Sequence, residues 1–142
     1  MVDRNRVLSK LDELEQYLKE LRSVLPGNFR EYQAIEKKRS CERLLQLSVE
    51  CSIDICKLLV AGRRLGLPSE ENDLFEKLFK AKIISSRLSK LLKEMRGFRN
   101  ILVHEYAEID DELVFDMATK RLTDFELFKK EILRSIGKRK SV

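Results

Sequence analysis

The chain has 142 residues, of which 43% are hydrophobic and 37% charged, with 5 Gly, 2 Pro and no Trp. That length suits a single domain, and the apolar fraction is large enough to build a core, which argues against a disordered chain. A formal charge of +5 permits an anionic partner without establishing one. No apolar run approaches the ~20 residues that span a bilayer, so the reading is a soluble, cytoplasmic protein with no membrane partner.

Few helix breakers and many Leu, Lys and Glu favour helices. The first is expected from about Asp3 to Leu25, because Val7, Leu11, Leu14, Leu18, Leu21 and Leu25 alternate spacings of four and three on one face. Asp3 suits its N-cap, and Pro26-Gly27 ends it. Asn28 with Glu31 three residues later is an imperfect capping box for a second, longer helix. Phe29, Tyr32, Ile35, Leu44, Leu47, Cys51, Ile55, Leu58 and Leu59 make its expected core side. Gly62, Gly66 and Pro68 mark a loop carrying Arg63 and Arg64, which suit either a solvated loop or a contact with an anionic partner.

A short helix from Asn72 or Asp73 should bury Leu74, Phe75, Leu78 and Phe79, with a break around Ala81–Ser85. The fourth helix has the cleanest amphipathic pattern, in Ile84, Leu88, Leu91, Met95, Phe98 and Leu102. A last helix should run from Asp110 or Asp111 to Gly137, with Val114, Met117, Ala118, Phe125, Phe128 and Ile132 inward. The fold class is therefore all-α, an up-and-down bundle of four to five helices. One domain is expected over 1–137, with a basic flexible tail over 138–142.

Cys41, Cys51 and Cys56 all fall in one helix without CxxC spacing, so free core thiols are expected rather than disulfides or zinc ligands. Charge is polarised along the chain. Lys77 to Asn100 holds eight bases and one acid, a local +7, whereas Glu105 to Asp116 holds six acids and no base. At about 100° per residue, Lys93, Asn100 and His104 point away from the core face of the fourth helix, with Arg96 beside them and Arg99 on the flank. Lys93 and Arg96 are thus candidate binding residues for an anionic partner such as RNA. Gly97, costly within a helix, suggests either the close approach of a ligand or another backbone, or simple fraying.

His104 is the chain's one histidine. It can exchange protons near neutral pH, Asn100 lies four residues earlier on the same face, and Arg99 offers a fork of donors to phosphate oxygens. Arg99, Asn100 and His104 are therefore candidate catalytic residues. Between them, His104 can supply proton transfer and Arg99 charge stabilisation at a phosphate. One histidine cannot act as acid and base at once, which gives a physical reason to expect dimerisation. Arg99 and His104 lie about 140° apart on an ideal helix. Either the helix unwinds before His104, or Arg99 of one subunit serves His104 of the other. No convincing metal cluster accompanies them. There is no GxxxxGK loop either, so no metal or other cofactor is expected. Asp54, a charge in an apolar run, suits either a basic partner in a dimer cleft or a wet helix edge.

The string Arg99-Asn100-Ile101-Leu102-Val103-His104-Glu105-Tyr106 resembles the Arg-x4-His-x-Tyr motif of the HEPN superfamily. The likeness is specifically to HepT-like toxins paired with minimal nucleotidyltransferase (MNT) antitoxins. Glu42-Arg43-Leu44-Leu45-Gln46, Ile53-Asp54-Ile55 and Asp110-Asp111-Glu112-Leu113 extend the likeness over nearly the whole chain. The resemblance implies a helical homodimer whose two motifs meet in a cleft and cleave RNA without a metal, in a type VII-like toxin–antitoxin system. It implies that Arg99 and His104 are catalytic, that Asn100 assists, and that the partner antitoxin transfers AMP to Tyr106. Without the resemblance, Tyr106 reads as an aromatic packing back on the bundle. The alternatives are a non-catalytic helical module that binds nucleotide or protein, and a structural dimer whose polar stripe is interface.

Overall fold

The computed structural model describes residues 1–104 and 109–137. Seven helices and no strand occur among the described residues: α1 (Arg4–Val24), α2 (Phe29–Tyr32), α3 (Ile35–Gly62), α4 (Glu71–Lys80), α5 (Ser86–His104), α6 (Asp111–Lys120) and α7 (Leu122–Gly137). The all-α class is as expected. The larger helix count arises because two segments that read as continuous are each broken once. The expected tail at 138–142 lies outside the described residues.

Local chemistry explains the ends. Asp3 accepts from the Arg6 amide at 3.1 Å and Asn28 from the Glu31 amide at 2.9 Å, each satisfying a donor that the first turn leaves open. The Asn28 helix lasts only one turn, because Ala34 is extended (φ −61°, ψ 131°) and α3 starts afresh at Ile35. The expected core side of the second helix needs correction accordingly. Ile35 is exposed and Leu44 and Leu47 are half-buried, whereas Cys41, Leu45, Val49, Ile53, Cys56 and Val60 are buried. Phe79, expected inside, is also partly exposed. The second break falls at Arg121, where α6 ends and α7 begins. Gly62 answers a close crossing, since a Cβ there would stand 2.8 Å from the Val2 Cα.

Two apolar clusters result. The larger joins α1, α3, α4, α5 and α7 through residues such as Leu14, Leu18, Ile55, Leu59, Phe75, Leu92 and Phe128. The smaller gathers Leu21, Tyr32, Cys41, Leu45, Phe98, Leu102, Val114 and Ala118. Helix α5 spans both. Its Leu88, Leu92 and Met95 belong to the first, and Phe98 and Leu102 to the second. Burying each of those last two contributes ~1.5–3 kcal/mol, which anchors the end of α5 that carries the Arg99–His104 segment. Lys38 of α3 reaches Asp111 of α6 at 3.0 Å beside the same cluster. At the other end of α5, Ser85 accepts from the Leu88 amide at 3.1 Å. Its own amide and hydroxyl both donate to the buried carboxylate of Glu131 at 2.7 Å, so α7 holds the start of α5.

The three cysteines are free and buried, as expected. Burial pushes the Cys41 thiol up to about 11 and Cys51 up to about 12, and raises Cys56 further. Asp54 sits on a wet edge of α3, 3.5 Å from Lys10 of α1.

Candidate active site

Helix α5 is continuous through His104, so the backbone does not unwind before that residue. Leu92 rather than Leu91 is buried, which turns the inward face roughly 30° toward Arg99. Arg99 is consequently only 12% exposed. His104 stands exposed on the opposite side, and Asn100 is intermediate.

A buried guanidinium needs partners, and three helices supply them. Arg99 Nη2 donates to Glu71 Oε1 of α4 in a short contact. Its Nε donates to Asn100 Oδ1 at 2.8 Å, and Nη1 lies 3.8 Å from Glu50 Oε2 of α3. Gln46 Nε2 donates to the same Glu50 oxygen at 3.1 Å. Glu71 Oε1 also accepts from Arg96 Nε at 2.9 Å, so one carboxylate oxygen ties both arginines to α4. Arg96 reaches Glu70 at 3.7 Å, and Lys93 pairs with Glu76. The Lys93 ammonium beside it holds the Glu76 carboxyl below its ordinary value, through their hydrogen bond and then their opposite charges.

Arg99, Asn100, Lys93 and Arg96 thus lie on one stretch of α5, Arg99 bonded directly to Asn100 and the three cations held by acids of α4. His104 is on the same helix but on another face, about five residues' rise or ~7.5 Å farther along. Tyr106 lies outside the described residues. Around Gly97 no described residue approaches within 4 Å of where a Cβ would stand. The basic Lys77–Asn100 segment is therefore largely compensated in space at its C-terminal half. Glu71 and Glu50 are the site residues that sequence reasoning missed. Glu71 sits 28 residues from Arg99 and looks like an ordinary acidic helix start. Among the described residues no group of three or more His, Cys, Asp or Glu side chains is placed to hold a metal ion, and no helix is long and apolar enough to cross a membrane.

This arrangement can do two things chemically. It can present the remaining donor face of a pre-oriented guanidinium to an anion, with the Asn100 amide beside it. It also places an exposed imidazole at a helix end, suited to proton exchange with something outside the chain.

Known proteins share this chain's architecture and sequence. A family model described as ribonuclease HepT-like matches residues 14–132. The mRNA nuclease HepT of Shewanella oneidensis is 30% identical over 122 residues, covering 86% of this chain and 92% of that protein. The tRNA nuclease HepT of Aphanizomenon flos-aquae is 30% identical over 125 residues, covering 87% and 85%. Among solved structures, a tri-AMPylated Shewanella oneidensis HEPN toxin in complex with MNT antitoxin superposes with a TM-score of 0.85 at 30% identity. That match covers 94% of this chain and 99% of the toxin.

Proposed function

We infer what the chain does from one premise: it belongs to the HepT-like ribonuclease family, whose model matches most of its length. It is the toxin of a two-component toxin–antitoxin pair, a metal-independent endoribonuclease that acts on RNA in the cytoplasm. Residues 1–137 form its single domain. Arg99, Asn100 and His104 are its catalytic residues, with Lys93 and Arg96 flanking the approach of RNA. The relatives named as nucleases support the activity, and the complex with an MNT antitoxin supports the partner.

The observation that carries the mechanism is the unbroken helix through His104. Arg99 is clamped toward α4 while His104 faces away, so the two do not converge on one phosphate within a chain. A homodimer resolves this, with Arg99 of one subunit opposite His104 of its partner in a composite cleft. There, one imidazole takes the proton of a 2′-hydroxyl as its oxygen attacks the neighbouring phosphorus. The second imidazole protonates the departing 5′-oxygen as the P–O5′ bond breaks, leaving a cyclic phosphate and a 5′-hydroxyl. Arg99 and Asn100 stabilise the charge gathering on the non-bridging oxygens. Glu71 acts through Arg99, as a positioning residue.

Silencing follows from Tyr106, whose hydroxyl attacks the α-phosphorus of ATP on the antitoxin, forming a tyrosyl–AMP ester and releasing pyrophosphate. Mass spectrometry after incubation with an active MNT antitoxin and ATP is expected to find AMP on Tyr106; an unmodified Tyr106 counts against this step. The activity itself is tested by His104→Ala, which is expected to cut RNA at least ~100-fold more slowly while the helix content is retained. The ion pairs around Arg99 also suit a non-catalytic binding module. A His104→Ala chain that cuts RNA as well as wild type does would leave that reading in place.

A further inference from the structure

The eight cations between Lys77 and Asn100 divide in space. Lys77, Lys93, Arg96 and Arg99 are paired, with Asp73, Glu76, Glu70, Glu71 and Glu50. Lys80, Lys82, Arg87 and Lys90 are exposed, and none of them is in an ion pair with a described residue. Lys80 and Lys82 precede α5 and Arg87 and Lys90 lie in its first turns, ~21–26 Å along its axis from His104. A cleft of about 840 Å³ opens there between the end of α3, the 81–85 connection and α7.

Its walls carry Arg63, Lys82 and Arg134, all exposed, and the half-exposed ring of Phe79. None of the three cations is paired with a described carboxylate; Arg63 reaches only Ser135 Oγ, at 3.5 Å. Among the described residues the one carboxylate lining the cleft is Glu131, and both of its oxygens are taken by Ser85. Helix α5 begins here with no acid in its first turn, its Leu88 amide capped by Ser85.

Lys82 supplies a second, independent observation. It closes α4 in a left-handed conformation, φ 62°, with the Ile83 amide bonded to the Leu78 carbonyl and its own amide to Phe79, both at 2.9 Å. Glycine adopts that geometry freely and a lysine does not. A cationic side chain kept at a strained position on a cationic cleft points to use of that side chain.

We propose that this cleft binds the backbone of single-stranded RNA, with Arg63, Lys82 and Arg134 on phosphates and Phe79 stacked on a base, as a second hold on the substrate remote from His104. The identity of the ligand as RNA rests on the ribonuclease reading; the cationic site does not.

The test uses the full chain and a fluorescein-labelled 20-mer oligouridylate, with anisotropy measured across 50–200 mM salt. Arg63→Gln with Arg134→Gln is expected to weaken binding about tenfold and to flatten the slope of log K against log salt by about 1.4, or 0.7 per lost phosphate contact. Lys82→Gly is expected to raise the melting temperature while weakening binding, opposite signs that a damaged fold cannot produce. With long RNA the KM rises in both variants, whereas cleavage of a dinucleotide too short to span the two sites is unchanged. Wild-type affinity and slope in both variants overturn the assignment, as does a cleft whose substitution abolishes ATP binding and leaves oligouridylate binding intact. If the wild-type chain cuts no RNA and the variants still lose oligouridylate binding, the ribonuclease reading fails and the cleft stands. Normal cutting with unchanged binding removes the cleft alone.

Discussion

Replacing Glu71 by Gln keeps the side chain's shape and removes the charge that both Arg96 Nε and Arg99 Nη2 address. A hydrogen bond to a charged partner contributes ~1.5–3 kcal/mol in a protein interior. Here the Glu71 side chain is 27% exposed, and Arg99 retains Asn100 and the longer approach to Glu50. Solvent screening therefore reduces the expected loss to about 1–2 kcal/mol, a fall of roughly 3–8 °C in melting temperature for a chain of this size. The effect on cleavage is larger in proportion. A guanidinium released from α4 and displaced by an ångström costs on the order of 10–100-fold in kcat, with KM nearly unchanged. Asp73→Asn is the matched control, since it removes a charge from the same helix without touching Arg99. Steady-state cleavage of a defined RNA and thermal melting of the three chains provide the readouts. A Glu71→Gln chain that melts lower yet retains or exceeds wild-type kcat refutes the positioning role and leaves the ion pair purely structural.

Further outcomes follow from the same structure. Glu131→Ala removes the carboxylate that takes two donors of Ser85 at the start of α5, and should destabilise the chain by about 2–3 kcal/mol in denaturant titrations. Tyr32→Phe should be neutral or stabilising by up to ~1 kcal/mol, because the buried Tyr32 hydroxyl has no hydrogen-bond partner among the described residues. Alkali should unfold the protein. The thiols' contribution is complete below their ordinary value of 9.0 and is lost as pH rises through about 11 for Cys41 and about 12 for Cys51. Melting temperature should therefore fall steadily above pH 9 and fall less in a Cys51→Ala chain, with native thiols resisting alkylation at pH 8.

The helices most open to sequence reading are those with one strict face. In α1, Val7, Leu11, Leu14, Leu18 and Leu21 are all buried, as their spacing requires. In α5 the pattern placed the polar face correctly and erred by one position, Leu91 for Leu92, which was enough to hide how deeply Arg99 sits. The two broken segments were not legible. Ala118, Leu122 and Phe125 keep helical spacing across the break at Arg121, yet Ala118 is buried in the smaller cluster and Phe125 in the larger. Just before the extended Ala34, Phe29 and Tyr32 pack against Phe115 of α6, with ring centroids 5.8 and 5.2 Å away, a contact that no local pattern signals. The acids that hold Arg99 come from two other helices, so no local pattern could announce them. Arg99, Asn100 and His104 were legible because they share one helix.

The composite dimer site is tested most directly by poisoning. Wild-type chain is mixed with increasing amounts of a chain carrying Arg99→Ala and His104→Ala together, exchanged to equilibrium, and assayed with RNA in excess over all sites. A mixed dimer then has no cleft with both an intact Arg99 and an intact His104 across the interface. Cleavage per wild-type chain should fall toward zero as the doubly substituted chain becomes the majority. Cleavage that stays constant per wild-type chain would show that one subunit suffices, and would contradict the composite site.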